Sequence, residues 1–400
     1  MSSKIMKKIF NSILALTMGC SMAVSGSACA LFGEKKEKNQ HTLTVTVAES
    51  PASLVAYSIE AYINANADET VNSFLTGGTE RLDKGMPVTI EYDLQSSAVV
   101  GIISIEAELS LDKDFAVIEQ KQTLNISDME DSPIYNFDPR KNYCSLYNLK
   151  TGEHYYYRVK LTLSDGQTVS SIGEFDTKIS PRFINLDGAN NVRDIGGWMT
   201  ESGRRIKQGL LYRGSEIDGG KNTGHADFRL TEQGIAQLRA LGIKTDFDLR
   251  SDSNKISEHS ILGADVSRSF YDAAQYQSAL AKANAETTRK IFSDLAKKES
   301  YPIYLHCTHG VDRAGTTCLL LEGLLGVAKE DLVRDYELSA FYYNYAHVNR
   351  NFENGGNVLK LIEELEKYDG ETFADKVATF MLSIGVTADE INSIRSIFLG

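Results

Sequence analysis

A change of period at Ile179-Ser180-Pro181 divides this 400-residue chain into two kinds of text. Upstream, apolar and polar residues alternate at the spacing of half-buried strands. Thr42 to Val47 and Val88 to Tyr92 both follow that pattern, and Gly101 to Leu111 is a further extended stretch. Downstream, Thr231 to Leu241 sets Ile235, Leu238 and Leu241 on a helical stripe and leads into the strand-like Ile243 to Leu249. Ala273 to Lys298 reads as a long alanine-rich helix, Tyr301 to His306 as a short apolar strand and Ala314 to Gly326 as a helix. Strands alternating with helices imply an α/β domain. The expected organisation is an all-β sandwich over 41–178 followed by an α/β domain over 181–400. Residues 60–85 fit neither period and read as a helix or a long loop.

A segment of a third kind precedes both. Lys4, Lys7 and Lys8 lead into the apolar run Ile9 to Met18, and small residues follow to Ala30. This is the pattern of an export leader over 1–30. Ala28-Cys29-Ala30 suits ordinary leader cleavage, whereas Cys20 and Cys29 each follow a small residue, as a lipid-modified cysteine does. Free secretion and membrane attachment through an N-terminal lipid both stay open, with 31–40 as a polar tether in either case. The net charge of −12 leaves little to neutralise a row of phosphates, which argues against nucleic acid as a partner. A small anionic substrate answers instead to the local field of its pocket. Beyond the leader only Cys144, Cys307 and Cys318 remain, too few and too scattered for a disulfide framework.

The richest chemistry lies between Tyr304 and Thr317. A strand ends at His306, Cys307 opens a tight loop, and Arg313 stands six positions later where a helix begins. Backbone N–H groups at a helix N-terminus favour a thiolate nucleophile and cradle the oxygens of a phosphate. The planar fork of Arg313 binds two such oxygens at once, which a lysine cannot do. Gly310 lets the loop fold back, and Gly315 permits close packing behind it. Thr308, His309, Val311 and Ala314 complete the cradle, and Thr316 or Thr317 is placed to hydrogen-bond the cysteine sulfur. His306 reads as a residue that orients the loop. The leaving oxygen needs a proton, and two carboxyls compete to supply it. Asp312 lies inside the loop. Asp272 stands thirty-five positions before Cys307, with the cap of a following helix as its alternative role.

These residues resemble the cysteine-dependent protein tyrosine phosphatases, specifically a bacterial branch whose loop reads HCxxGKDRTG. Asn191-Val192-Arg193-Asp194-Ile195-Gly196-Gly197 is similar to the branch's Asn-Phe-Arg-Asp-Leu-Gly-Gly. Leu211-Tyr212-Arg213-Gly214-Ser215 and Asp248-Leu249-Arg250-Ser251 are similar to its other motifs, as are Asp335-Tyr336 with Ser339 and the tail from Gly385 to Ile391. The resemblance implies a central sheet flanked by helices, and hydrolysis of phosphate monoesters through a phosphocysteine with neither cofactor nor metal. It favours Asp312, where the branch keeps its acid, over Asp272, whose separation from Cys307 is similar to that in typical tyrosine phosphatases. Phosphotyrosine on a protein is the leading substrate, with small phosphate esters such as inositol phosphates or phosphoinositides as the alternative, and phospho-ligand binding without turnover as a second. Val311 stands where the branch has a lysine linked to phosphoinositide recognition, His309 where it has alanine, and Ala314 where it has threonine. Supporting roles follow for an Arg193–Asp194 pair and for Asp248 paired with Arg313 or Arg213. Upstream, Leu149, Gly152 and the aromatic run from Tyr155 resemble the tyrosine corner of a fibronectin type III domain, a member of the immunoglobulin-like sandwiches.

Overall fold

The computed structural model describes residues 39–77, 81–125, 137–138, 142–219, 228–251, 257–342, 348–350 and 358–400. The expected leader and nearly all of the tether lie outside the described residues.

The period-two segments form two four-stranded antiparallel sheets. One has the order β1 (His41–Val47), β2 (Val88–Ser96), β6 (Tyr143–Leu146), β5 (Phe137–Asp138). The other runs β4 (Gln120–Asn125), β3 (Ile102–Ser110), β7 (His154–Leu163), β8 (Thr168–Asp176). Alternation decides which side chains go inward. Along β7, Tyr155, Tyr157, Val159, Leu161 and Leu163 are buried, and they meet Ile90, Tyr92, Cys144 and Leu146 of the first sheet in one core. Each such side chain contributes about 1.5–3 kcal/mol by leaving water.

Between β1 and β2 the chain departs from this core, although the stretch falls within the expected sandwich. Helix α1 (Tyr57–Ile63) and a 3-10 turn at Val71–Phe74 bury Ile59, Tyr62 and Val71 among the apolar side chains of the α/β region. The Tyr62 hydroxyl donates to the buried Glu337 carboxylate, and Leu82 N–H donates to Phe341 O at 3.3 Å.

Beyond Ser180 the strands form one sheet in the order β13 (Ser267–Phe270), β12 (Thr245–Asp248), β14 (Ile303–His306), β11 (Leu211–Gly214), β10 (Arg193–Asp194), β9 (Arg182–Phe183). The pairings among β13, β12, β14 and β11 are parallel, and β10 and β9 add an antiparallel edge. Central β14 is buried along its whole length, as a strand covered on both faces must be. Tyr304 packs with Leu238 of α2 (Glu232–Ala240). Ile303 and Leu305 turn the other way, into the core with α3 (Ala285–Leu295), α4 (Asp312–Leu325), α5 (Lys329–Glu337), α6 (Val358–Leu365), α7 (Phe373–Ser383) and α8 (Ala388–Leu399). Register brings the strand ends together: Gly214 of β11 and Asp248 of β12 both lie opposite His306 of β14, so the loops that follow them converge.

The long helix expected over Ala273 to Lys298 is interrupted. Tyr276 has φ +51°, outside the right-handed helical region, and Ala281 is extended, so two 3-10 turns precede α3. Asp272 caps none of these elements: Gln275 precedes the first turn and Asn284 precedes α3.

Candidate active site

The sheet delivers Cys307 one residue past the end of β14, and α4 starts five residues later at Asp312. Cys307 is buried, 2% exposed. The intervening loop turns through Gly310, whose φ of +72° suits glycine; a Cβ there would stand 2.4 Å from the Gly214 carbonyl carbon. Among the described residues the backbone N–H groups of Gly310, Val311, Asp312 and Arg313 have no protein acceptor. They form part of the orphaned first turn of a helix, which is the ordinary setting for a bound anion. The half-buried Arg313 makes a single hydrogen bond among the described residues, to Thr308 Oγ1 at 3.2 Å, so most of its donors are uncommitted. Among the described residues the other thiols are Cys144 and Cys318, and burial pushes both up to about 12, as befits inert core residues.

Two buried ion clusters hold the loop. In the first, Arg213 donates to Gly310 O at 2.9 Å and Val311 O at 3.3 Å while pairing with Asp335 at 2.5 Å. Asp335 also accepts from Arg193 Nε at 2.9 Å. Burial would raise the Asp335 pKa, but the charges of Arg193 and Arg213 outweigh it and hold the carboxyl below its usual range. Gly315 leaves room for this cluster, since a Cβ there would stand 2.9 Å from the Arg213 guanidinium. Asn191 adds a bond from Nδ2 to His309 O at 3.2 Å, and its own N–H is held by the buried Asp83 at 2.6 Å.

The second cluster surrounds His306. Its Nε2 meets Asp246 Oδ1 at 2.9 Å, and its Nδ1 lies 3.3 Å from Cys307 O. Burial opposes protonation of this ring, yet the Asp248 and Asp246 charges raise its pKa above the ordinary value. Arg250 bridges Asp248, Asp218 and Glu216, and Arg268 joins Asp218 and Asp248, at distances from 2.7 to 2.9 Å. Burial alone would lift Asp218; hydrogen bonds from Arg250 and Arg268 bring it down to about 2. His306, the last residue of β14, thus links this cluster to the backbone of the loop.

Several expected pairings differ. Arg193 and Asp194 do not pair: they point to opposite faces of β10, and Asp194 binds Arg182 at 2.8 Å. Asp248 pairs with Arg250 and Arg268 rather than with Arg313 or Arg213, because it stands on the His306 side of the strand ends. Neither threonine reaches the cysteine sulfur. Thr316 and Thr317 donate to the carbonyls of Asp312 and Arg313 one turn back, at 2.8 and 3.0 Å. His309 sets its ring edge-on to Phe228, 5.3 Å between centroids. Val311 is buried, and Ala314 is fully buried in the core.

The two candidate acids also part company. Asp312 sits at the mouth of the loop, half-buried, and accepts a hydrogen bond from the Tyr276 hydroxyl. Asp272 is exposed and makes no hydrogen bond among the described residues. The sequence assigns no role to Asp335, Asp246, Asp218, Glu216, Arg268 or Tyr276. Asp335 had a signal, since it belongs to a motif shared with the resembling branch, but Tyr276 had none. Among the described residues no three His, Cys, Asp or Glu side chains are grouped to hold a metal ion.

Known proteins resemble this chain. The family model described as the tyrosine phosphatase family matches residues 184–399, more than half of the chain. A Cupriavidus necator protein named as a tyrosine-protein phosphatase is 27% identical over 177 residues, covering 38% of this chain and 61% of that one. A tyrosine-protein phosphatase of Nostoc commune is 29% identical over 136 residues, 28% of this chain and 46% of that one. The chain thus spans about half to three fifths of the length of these curated relatives.

Proposed function

The chain belongs to the tyrosine phosphatase family, and from that premise we propose that it hydrolyses phosphate monoesters through a phosphocysteine at Cys307. The Cys307 sulfur attacks phosphorus, the bond to the ester oxygen breaks, and Asp312 gives that oxygen its proton. Arg313 and the loop N–H groups hold the equatorial oxygens throughout. Water then attacks the phosphocysteine, Asp312 takes the water's proton, and the thiolate and inorganic phosphate are released. The observation that carries this reading is the half-buried Arg313 at the end of the loop that Cys307 opens, its guanidinium committed only to Thr308 among the described residues. A half-buried cation with spare donors on the same loop as a cysteine suits an anionic substrate.

Phosphotyrosine is the substrate class this pocket favours. Val311 puts an apolar residue where a loop cation would attract extra phosphates. Lys297 and Lys329 are engaged by Asp294 and Glu366, and Arg193 and Arg213 are spent on Asp335. An inositol polyphosphate would find little compensation for its charge. The β region, two antiparallel sheets in which Lys150 N–H donates to the Tyr155 hydroxyl at 2.9 Å in the manner of a tyrosine corner, supports reading it as a fibronectin type III-like module. With the lysine-led apolar N-terminus it suits an exported or lipid-anchored enzyme that meets phosphorylated proteins outside the cell.

Turnover of p-nitrophenyl phosphate tests the chemistry. Cys307→Ser should abolish it, Arg313→Lys should cripple it, and a chelator should leave the rate unchanged. Substantial activity in Cys307→Ser would refute the mechanism. Phosphotyrosine peptides should show higher kcat/KM than phosphoinositides, and Val311→Lys should narrow the gap; a clear preference for an inositol substrate would reverse the assignment.

A further inference from the structure

Tyr276 occupies a position that its local sequence does not explain. It is a bulky residue at φ +51°, in the left-handed region that side chains other than glycine, asparagine and aspartate rarely visit, and it breaks what would otherwise be a helix. Such outliers persist where surrounding contacts over-determine them. Here the contacts all lead to α4 and α5. Tyr276 N–H donates to Thr316 Oγ1 at 2.7 Å, and Thr316 donates onward to Asp312 O at 2.8 Å. At the other end of the side chain, the Tyr276 hydroxyl donates to Asp312 Oδ1. The Tyr336 hydroxyl, from α5, lies 2.8 Å from the Tyr276 oxygen, with the two rings nearly perpendicular and 6.0 Å apart.

The direction of these bonds is settled by chemistry. Burial, with Tyr336 and Asp312 nearby, raises the Tyr276 pKa far above its ordinary value, and burial pushes Tyr336 up to about 12. Both phenols remain protonated wherever the enzyme works. Tyr276 spends its one proton on Asp312, so its oxygen accepts from Tyr336. The result is a chain Tyr336 → Tyr276 → Asp312 that fixes one oxygen of the carboxyl and leaves the other to carry a proton.

We infer that Tyr276 is a positioning residue for the general acid: it pins Asp312 Oδ1 so that Oδ2 faces the leaving oxygen, and Tyr336 holds Tyr276 in place. In the first step Oδ2 passes its proton to the departing oxygen as the phosphorus–oxygen bond breaks, and in the second it receives one from the attacking water. The Tyr276 proton stays on the phenol throughout. A carboxyl released from this bond would be free to rotate, and its correct orientation would become one of several. The inference rests on the phosphatase reading above and on Asp312 as the acid.

Leaving-group dependence tests it. Wild type, Tyr276→Phe, Asp312→Asn and the double variant are assayed on a series of aryl phosphates from p-nitrophenyl to unsubstituted phenyl. For Tyr276→Phe, kcat on phenyl phosphate should fall on the order of tenfold, the loss on p-nitrophenyl phosphate should be far smaller, and KM and vanadate affinity should be unchanged. Tyr336→Phe should show a weaker version of the same slope. In the Asp312→Asn background, Tyr276→Phe should add nothing to the slope, because Tyr276 would act only through that carboxyl. Equal losses on all leaving groups, or additive losses in the double variant, would show a merely structural tyrosine and overturn the inference. If wild type turns over none of the esters, the phosphatase reading itself falls and the inference with it. Turnover in wild type with an unaltered slope in Tyr276→Phe rejects the inference alone.

Discussion

The core between the two four-stranded sheets is almost wholly apolar, from Ile90 and Tyr92 to Val159 and Leu161, and ion pairs of this region such as Lys150 with Glu119 and Lys121 with Glu106 reach solvent. The α/β region buries charge instead. Arg193, Arg213 and Arg250 are among the largest fully buried side chains of the described residues, and Asp246, Asp248, Glu216 and Asp335 are buried with them. Desolvating such groups costs about as much as their attraction returns, so their presence says little about stability. What they do is visible in their contacts: one cluster grips the carbonyls of Gly310 and Val311, and the other holds His306 against Cys307. One core is held by apolar packing, whereas the other also buries charge that positions the loop after β14.

The boundary between the two is not where the period changes. A fragment starting at Ser180 discards Val55, Ile59, Tyr62 and Val71 from the α/β core, and Asp83 from behind Asn191. Each apolar side chain is worth about 1.5–3 kcal/mol, and together they rival the net stability of a whole domain. The fragment should show no cooperative urea transition. A sharp transition with retained p-nitrophenyl phosphate turnover would mean the two regions are independent.

Matched single substitutions sharpen the contrast. Arg213→Met removes one partner from a buried pair and should cost about 3–5 kcal/mol, and it should lower kcat/KM by at least about tenfold because the loop carbonyls lose their donor. Leu161→Ala in the β core should cost about 2–5 kcal/mol and leave kcat/KM of the folded enzyme unchanged. Similar activity in both variants would contradict the division of labour.

The smallest effects are those of pH. Asp218 falls from an ordinary value near 4 to about 2 on folding, so its contribution, about 2 kcal/mol, is complete above pH 4 and is lost as pH drops through 2. The raised His306 contributes in the opposite sense: its pairing is complete below about pH 6.5 and is lost as pH rises through its folded value. Urea midpoints should therefore decline on both sides, and Asp246→Asn should weaken the decline on the basic side.

The sequence made local features legible and left distant ones hidden. Cys307, Arg313 and the strand, loop and helix that carry them are contiguous, so their spacing was enough. The β-strands announced themselves by alternation. Arg193 and Asp335 are 142 positions apart and Asn191 and Asp83 are 108, and no period or spacing connects them. Neighbouring opposite charges misled in the case of Arg193 and Asp194, because adjacent residues on a strand face opposite ways. Alanine content misled over 273–298, where contacts of Tyr276 with α4 override helix propensity.

The phosphocysteine is the central claim, and trapping it is the direct test. Wild-type enzyme turning over a radiolabelled aryl phosphate, denatured within one turnover and digested, should yield label on the peptide containing Cys307 and on no other. Cys307→Ser should yield none. Active wild-type enzyme that carries no label on Cys307 at any quench time, or carries it on another residue, would contradict the account.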